Sequence, residues 1–337
     1  MLPVGYFPCT QDVSSKPNVA GLIDEIIEQA KLCEKVGFDS FLFTEHHQQN
    51  DNYLPSPILL SSIVGAHTKN IKVGTCVLLA PLYHPIRLAE DIAVVDQATK
   101  GRMIIAVGIG YLAEDFNAFG VPLVQRSRRT EECVEILRKA WSRKMFSYDS
   151  KYHVIDNVRV TPAPYKKNGP PIWMAGWAPS GLERAGRMGD GWLADPMQSI
   201  DVIKSYAETY RAEAKKNGRK PYVVLMRDCV VGESWDRCVA KSEPTMVMHR
   251  FYYKNGAYSL DKNLKGVKNS DELTFEKLSK DRFITGSPEQ CIEQIQMWNE
   301  VIRPDYLMVR MRQPGGPPQE ESLNDIRVFA EKIMPNI

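Results

Sequence analysis

Several common signatures are missing from this sequence, and each absence weakens a class of function. The seven cysteines form no Cys-x-x-Cys pair, so free thiols are predicted in place of a disulfide framework or a zinc cage. No His-Glu-x-x-His or Gly-x-Ser-x-Gly motif occurs, which weakens zinc-enzyme and serine-hydrolase interpretations. Function therefore has to be inferred from the overall pattern and not from one short motif.

An excess of one charge and long apolar runs are also missing. The chain has 43 Lys and Arg against 41 Asp and Glu, a net charge of +2, so no nucleic-acid or membrane partner is expected. No apolar run reaches about eighteen residues, and residues 1–13 lack the basic and apolar regions of a signal peptide. These features predict a soluble, cytoplasmic protein.

What the sequence does contain is an alternation of short apolar runs with longer helical segments. Runs rich in Val, Ile, Leu and aromatic residues lie at 2–7, 38–45, 71–80, 102–110, 170–177, 190–196, 221–231 and 304–311. A segment with helical periodicity follows each run. The pattern predicts an α/β fold, a (β/α)8 TIM barrel formed by the whole chain, 1–337, as a single domain.

Two stretches interrupt this repeat, and both are predicted to be insertions. Residues 147–169, after the fourth strand, have the composition of a β-rich excursion. Residues 241–285, after the seventh strand, form a long charged segment that contains Gly and Tyr. In a barrel this second insertion would lie at the end where active sites form.

The segment from Phe41 to Asp51, FLFTEHHQQND, runs from the second predicted strand directly into Glu45, His46 and His47. In a barrel this is the catalytic face, and because strand side chains alternate, only one histidine is expected to face the mouth. The other four histidines lie in unrelated contexts, so no metal site is predicted. An acid–base role and a solvent-exposed loop both remain open.

The stretch Gly108 to Ala113 matches the relaxed dinucleotide-binding pattern Gly-x-Gly-x-x-Ala. The full fingerprint needs an immediate helix and an acidic residue at the end of the next strand. Here Pro122 interrupts the helix and no strand appears near Glu131. Gly108 and Gly110 are therefore predicted to let a flat ligand approach the backbone.

A further candidate site follows the fifth predicted strand, where Gly176, Trp177, Ala178, Pro179 and Ser180 precede a helix. A helix N-terminus offers unpaired N–H groups and a positive dipole end, so these residues can seat a phosphate. An ordinary N-cap with a first-turn proline explains the same residues, and this alternative stays open.

The longest of these stretches resemble one known family. GFDSFLFTEHH, IKVGTCVLLAPLYHPIRLAEDIAVVDQATKGR and AVGIGYLAEDFNAFG look like the second, third and fourth strand regions of the bacterial luciferase-like family of flavin-dependent monooxygenases. They occur in the same order and at similar spacing. FITGSPEQCIEQI and FAEKIMP are similar to the last helices of that family, so the resemblance extends over nearly the whole chain.

The resemblance implies a barrel that binds reduced FMN at its mouth, delivered by a separate flavin reductase. It implies that molecular oxygen adds at the flavin C4a position and that the resulting peroxide oxidises a small organic substrate. It also implies a homodimer formed through helices near 57–69 and 85–99. The insertion at 241–285 falls where bacterial luciferase carries a mobile active-site lid.

Residue by residue, the resemblance makes His46 the catalytic residue, an acid–base or hydrogen-bond partner beside the flavin, and gives His47 a supporting or solvent position. Cys76-Val77 matches a non-prolyl cis peptide bond that supports the flavin ring. Bacterial luciferase has an arginine where this chain has Ile109, so one phosphate contact is missing. The cofactor-binding residues implied in this way are Glu45, Thr75, Cys76, Val77, Gly108, Gly110, Gly176, Trp177, Ala178 and Ser180.

Two alternatives share the predicted fold. One is an oxidoreductase that transfers hydride with a deazaflavin coenzyme, although Asp-His is more usual in such relatives than the Glu-His-His found here. The other is a non-catalytic flavin-binding protein. The eight predicted strands and the complete insertion at 241–285 argue against this second alternative.

Overall fold

Eight parallel strands form a closed barrel in the computed structural model, which describes residues 1–259, 261 and 264–337. The described strands are, in chain order, β1 (Val4–Tyr6), β2 (Ser40–Phe43), β3 (Lys72–Leu79), β4 (Met103–Gly108), β5 (Phe146–Asp149), β6 (Val154–Val158), β7 (Ile172–Ala175), β8 (Gly191–Ala194), β9 (Val223–Val231), β10 (Ile284–Gly286) and β11 (Tyr306–Arg310). Neighbours pair in the order β1-β2-β3-β4-β7-β8-β9-β11, and β11 pairs with β1. The predicted (β/α)8 barrel is confirmed, and each of the eight predicted runs contains one barrel strand.

Alternation along the strands separates two apolar layers. In β4, Ile104 and Ala106 pack inside the barrel, whereas Ile105 and Val107 face the helices. Inside, the barrel is filled by a compact set of side chains: Phe7, Leu42, Cys76, Trp173, Leu193, Val224, Met226, Tyr306 and Met308. Burial of a large apolar side chain contributes about 1.5–3 kcal/mol, so both layers stabilise the barrel.

Twelve α-helices are present in the described residues, besides short 3-10 and π-helical turns. They are α1 (Val19–Val36), α2 (Pro57–His67), α3 (Pro85–Ala98), α4 (Ala113–Asn117), α5 (Arg126–Ala140), α6 (Pro179–Met188), α7 (Ile200–Lys216), α8 (Trp235–Lys241), α9 (Glu243–Lys254), α10 (Phe275–Ser279), α11 (Pro288–Ile302) and α12 (Gln319–Val328). Capping residues in the sequence mark where several of these helices begin and end. Asn18 accepts a hydrogen bond from the Gly21 N–H at the start of α1, and Gly37 ends that helix in the left-handed region at φ 95°.

The insertion after α5 is a β-hairpin, formed by the antiparallel pair β5 and β6. The hairpin lies along α5: the Tyr148 hydroxyl donates to Glu135, and Ser150 and His153 at the hairpin turn contact Glu132 in the first half of that helix. The composition of 147–169 therefore predicted the type of structure correctly.

The insertion at 241–285, here called the lid segment, contains more regular structure than its charged sequence suggested. It includes α9 and α10, and β10 begins at its end and pairs with β9. Apolar side chains of the lid segment, including Met246, Phe275 and Leu278, form a separate small core together with residues of the barrel end. Positions 260, 262 and 263 of the predicted lid lie outside the described residues.

Two whole-chain features complete the description. No helix among the described residues is long and apolar enough to cross a membrane. All seven cysteines are buried and unpaired.

Candidate active site

Glu45, just after β2, is hydrogen-bonded to the last residue of β3 and to the segment that follows it. Its side chain is buried, and Oε2 accepts a hydrogen bond of 2.7 Å from the Leu79 N–H. Oε1 accepts from the Tyr83 hydroxyl at 2.8 Å and lies 2.8 Å from His47 Nε2. Because protein donors occupy both oxygens, Glu45 positions its neighbours, and its contact with a cofactor stays a prediction.

His46 is held by a carboxylate that sequence reasoning missed. Its Nδ1 lies 3.0 Å from Oδ2 of Asp115, a fully buried residue of α4, whose Oδ1 accepts from the His47 N–H at 2.7 Å. A carboxylate acceptor fixes the proton on Nδ1, so Nε2 is the ring nitrogen left for chemistry. The only signal for Asp115 in the sequence was that an acidic residue lies in a short segment soon after Gly108 and Gly110.

His47 has a different environment from His46. Its ring packs edge-on against Phe119 with centroids 4.6 Å apart, and its Nε2 is bound to Glu45. His46 instead lines a cavity in the mouth of the barrel. The structure therefore separates the two histidines in the way that strand alternation predicts.

This cavity, here called the inner cavity, has a volume of about 200 Å³. Its aromatic wall includes Tyr53 and Tyr111, whose rings meet His46 edge-on with centroids 5.5 and 5.7 Å away. Burial raises the pKa of both tyrosines, so both remain neutral hydroxyl groups. The lid segment closes one side through residues of α9, among them Phe251 and Tyr252.

The predicted flavin platform occupies the ends of β3 and β4. The peptide bond between Cys76 and Val77 is cis, as the resemblance implied, and the pairing of β3 with β4 shifts register there. The Val77 side chain packs directly on Gly108, since a Cβ atom at this position would lie 2.6 Å from Val77 Cγ2, so Val77 and not a ligand fills the space that the missing side chain leaves. Thr75 is buried, and its hydroxyl donates to the Ala106 carbonyl at 2.8 Å. Thr75 therefore joins the strands beneath the platform.

The turn between β7 and α6 provides an uncapped helix N-terminus. Gly176 lies against Gly181 so closely that a Cβ atom on Gly176 would be 2.7 Å from the Gly181 carbonyl carbon. Ala178 is the N-cap and offers no side-chain hydrogen bond, while Ser180 is exposed in the first turn. Pro179 has no N–H and the Gly181 N–H donates to the Ala178 carbonyl at 2.8 Å, so the N–H and hydroxyl of Ser180 are the first-turn groups that remain for an anion.

An aromatic line joins the two sides of the mouth. The Tyr111 ring lies between His46 and Trp177, with centroids 5.7 Å from each. Gly110 adopts φ 73°, and a Cβ atom there would lie 2.6 Å from the Phe116 ring. The structure thus brings the predicted residues after β2, β4 and β7 to one mouth.

A buried ionic network anchors the lid segment to the barrel. Asp228 on β9 accepts a hydrogen bond from Arg310 Nη2 through Oδ2 at 2.9 Å, and His249 Nε2 lies 2.6 Å from the same oxygen. Arg310 also donates from Nη1 to the Tyr252 hydroxyl at 3.1 Å. Burial opposes the charge of Asp228, but Arg310 and His249 more than offset this and lower its pKa.

Sequence reasoning missed this network, although two signals were present. Asp228 and Arg310 are charged residues within otherwise apolar strand runs. Charged residues are rarely fully buried unless they are paired, so such positions predict buried partners. Among the described residues, no group of three or more His, Cys, Asp or Glu side chains is arranged to hold a metal ion.

Comparison with known proteins adds independent findings. The family model for luciferase-like monooxygenases matches residues 4–302. An FMNH2-dependent dimethylsulfone monooxygenase from Pseudomonas putida is 28% identical over 320 residues, which cover 83% of this chain and 84% of that protein.

Two solved structures share the fold. The oxygenating constituent of 3,6-diketocamphane monooxygenase from Pseudomonas putida, in complex with FMN, superposes with a TM-score of 0.81 at 19% identity, covering 100% of this chain and 99% of that one. A coenzyme F420-dependent tetrahydromethanopterin reductase from Methanopyrus kandleri gives 0.77 at 18% identity, covering 99% of both chains. At these identities the likeness establishes the barrel and leaves the cofactor open.

The lid anchor predicts a specific pH dependence of stability. Burial lowers the pKa of His249 more than Asp228 raises it, so the unfolded chain binds a proton first as the pH falls below about 6.5. Stability should therefore fall below that pH, with His249 contributing up to about 1.4 kcal/mol per pH unit. We expect His249→Gln to reduce this slope in urea unfolding between pH 8 and pH 5.

The control for this measurement is His67→Gln, because His67 is exposed on α2. This variant should keep the wild-type slope. An unchanged slope in His249→Gln would contradict the assignment of His249 as a buried neutral group.

Proposed function

Because the chain belongs to the luciferase-like monooxygenase family, we propose that it is the oxygenase of a two-component system in the cytoplasm. It uses reduced FMN, supplied by a separate flavin reductase, and molecular oxygen to oxidise a small organic substrate. The observation that carries the proposal is the pair of His46 and Asp115, with His46 lining the inner cavity, in a barrel whose third strand carries the cis peptide bond Cys76-Val77. Reduced FMN, when bound, supplies the electrons that activate oxygen.

The residues of the mouth fit FMN in two respects. The cis peptide bond Cys76-Val77 lies where the family resemblance places the support of the flavin ring, and Val77 is held there by packing against Gly108. The uncapped N-terminus of α6, with Ser180 in its first turn, suits a phosphate. Ile109 provides no charge for that phosphate, so the helix N-terminus has to supply most of its stabilisation.

His46 is the proposed catalytic residue. Asp115 holds its Nδ1–H, and Nε2 can therefore accept, hold and return a proton at the inner cavity. Tyr53 and Tyr111 fix the plane of the ring by their edge contacts. The lid segment excludes water from the site through α9, and we propose that it moves to admit ligands.

The first prediction concerns the cofactor. Reduced FMN should bind at least about tenfold more tightly than oxidised FMN in anaerobic titrations. Oxygen uptake in an oxygen electrode should require a flavin reductase and NADH. Tight binding of coenzyme F420, with no oxygen uptake dependent on FMN, would support the hydride-transfer alternative and contradict the proposal.

The second prediction concerns the two histidines. His46→Ala should lower the rate of substrate oxidation by about 10²–10⁴-fold, because it removes the proton-transfer group. Asp115→Asn should reduce the same rate by about tenfold or more, since it disturbs the tautomer that His46 adopts. His47→Ala should have a milder effect. Steady-state kinetics and circular dichroism together check this order, and equal losses in His46→Ala and His47→Ala would exclude it.

The third prediction concerns assembly. We propose a homodimer through α2 and α3, where Leu59 and Val94 are 64% and 53% exposed. Sedimentation should give twice the chain mass, and Leu59→Glu should shift the protein towards monomer. Val154→Glu, at an equally apolar and exposed site on β6, serves as the control and should leave the mass unchanged. A monomeric wild-type protein would contradict this arrangement.

A further inference from the structure

A second, larger pocket adjoins the inner cavity. This outer pocket has a volume of about 430 Å³ and is bordered by the chain after β1, the start of α1 and the turn after β11. Cys9, Gln11, Arg312 and Gln313 line both spaces and so form the wall between them. The two spaces are therefore separated only by side chains and short backbone segments.

The closed strand order places the outer pocket far from the flavin side. In the order β1-β2-β3-β4-β7-β8-β9-β11, the seam between β11 and β1 lies diametrically opposite the seam between β4 and β7. Gly108 and Ser180, the platform and phosphate candidates, belong to the β4 and β7 side. A ligand in the outer pocket can therefore reach the inner cavity without crossing the proposed flavin position.

Three of the four wall side chains are fixed by close hydrogen bonds or by burial, and the fourth, Gln11, is only weakly bonded. Gln313 donates to Asp228 Oδ1 at 2.9 Å, and Arg312 donates to Glu25 at 2.6 Å. Cys9 is buried. Gln11 makes only a 3.3 Å hydrogen bond to Asp51 and a 3.8 Å contact from the Cys9 thiol. Movement of the Gln11 side chain is thus the least costly way to connect the two spaces.

The charges of the outer pocket are largely satisfied within the protein. Asp12 accepts hydrogen bonds from the N–H groups of Ser14 and Asn18, at 2.9 and 2.7 Å. Glu25 is paired with Arg312. The pocket therefore offers hydrogen-bonding groups without a free counter-charge, and it suits an uncharged polar group better than an anion.

Size supports the use of both spaces by one ligand. Pockets for organic ligands usually measure about 300–1,000 Å³, and the inner cavity alone, at about 200 Å³, is smaller than that. The two spaces together fall within the usual range. A molecule that places its reactive end at His46 can therefore extend its remaining part across the wall.

We propose that the outer pocket is the substrate entrance and holds the tail of the substrate. Resting on the function proposed above, this assigns the substrate class: a molecule with a small apolar oxidisable head and an uncharged hydrogen-bonding tail. Gln11 acts as the gate between head and tail positions. The flavin and the substrate then approach His46 from opposite sides of the barrel.

Access to Cys9 tests the entrance without relying on turnover. Methyl methanethiosulfonate should modify Cys9 first among the seven cysteines, as measured by intact mass and peptide mapping. Val13 lines the outer pocket and is 52% exposed, so Val13→Trp can fill the pocket without disturbing the core. We expect it to slow Cys9 modification at least tenfold, whereas the matched control Val154→Trp should stay within twofold of wild type. Equal rates in the two variants would overturn the proposal.

Two further outcomes distinguish failure of the entrance proposal from failure of the two-component function on which it rests. Saturating reduced FMN should leave the Cys9 rate within twofold, and a tenfold slowing would instead place the flavin in the outer pocket. If reduced FMN fails to bind, the two-component function fails while the Val13→Trp comparison still decides the entrance.

The tail class is tested by protection of Cys9. Triethylene glycol monobutyl ether, with an apolar head and an uncharged polar tail, should protect Cys9 at least tenfold better than octanoate. Equal protection, or better protection by octanoate, would refute the tail assignment.

Discussion

The arrangement of the mouth depends on the hydrogen bonds and ion pairs of the buried Asp228 carboxylate. It accepts hydrogen bonds from Arg310 on β11 and Gln313 beyond it, and it contacts His249 of the lid segment. Removal of one partner from a buried pair of this kind leaves an uncompensated charge and costs about 3–5 kcal/mol. Such a pair need not add much net stability, because desolvation opposes it. Its consequence is geometric, since it fixes the positions of the last strand, the lid and the wall of the inner cavity relative to one another.

Two other buried carboxylates, Glu45 and Asp115, position the groups around His46. Glu45 joins the ends of neighbouring strands through one donor at the last residue of β3 and one in the segment after it, and Asp115 orients His46 from a separate short helix. Both are almost fully buried, and protein donors satisfy their oxygens. The imidazole of His46 is consequently held by groups that are themselves fixed. A precisely held proton-transfer group costs less reorganisation when it reacts.

The fold was predictable because its main signal is repeated eight times along the chain. Runs such as Met103–Gly108 are apolar on both faces, which a parallel barrel buried on both sides requires. The helices of the lid segment were not predicted, because α9 mixes charged and aromatic residues, and its apolar contacts are with a small separate core and with the barrel end and not with the main core. The strand β10 has three residues, too few for a periodic pattern. Within the site, alternation predicted that only one of His46 and His47 faces the mouth, and the family resemblance selected His46, but no local pattern connects His46 to Asp115, 69 positions away.

The two sides of the mouth also differ in how they are assembled. The proposed flavin side comes from β3, β4 and β7 with α6, which follow one another in the barrel and are separated in the chain only by helices and one hairpin. The opposite side forms only where β11 closes against β1, so Cys9 and Arg312 meet from the two ends of the chain. Pairing over such a sequence distance carries the largest loop-closure cost and is the step that completes the barrel. The platform can therefore be specified by neighbouring segments, whereas the outer pocket exists only in the closed barrel. Changes to the seam loops can alter what enters the site while leaving the His46 and Asp115 pair intact, because neither residue belongs to β1 or β11.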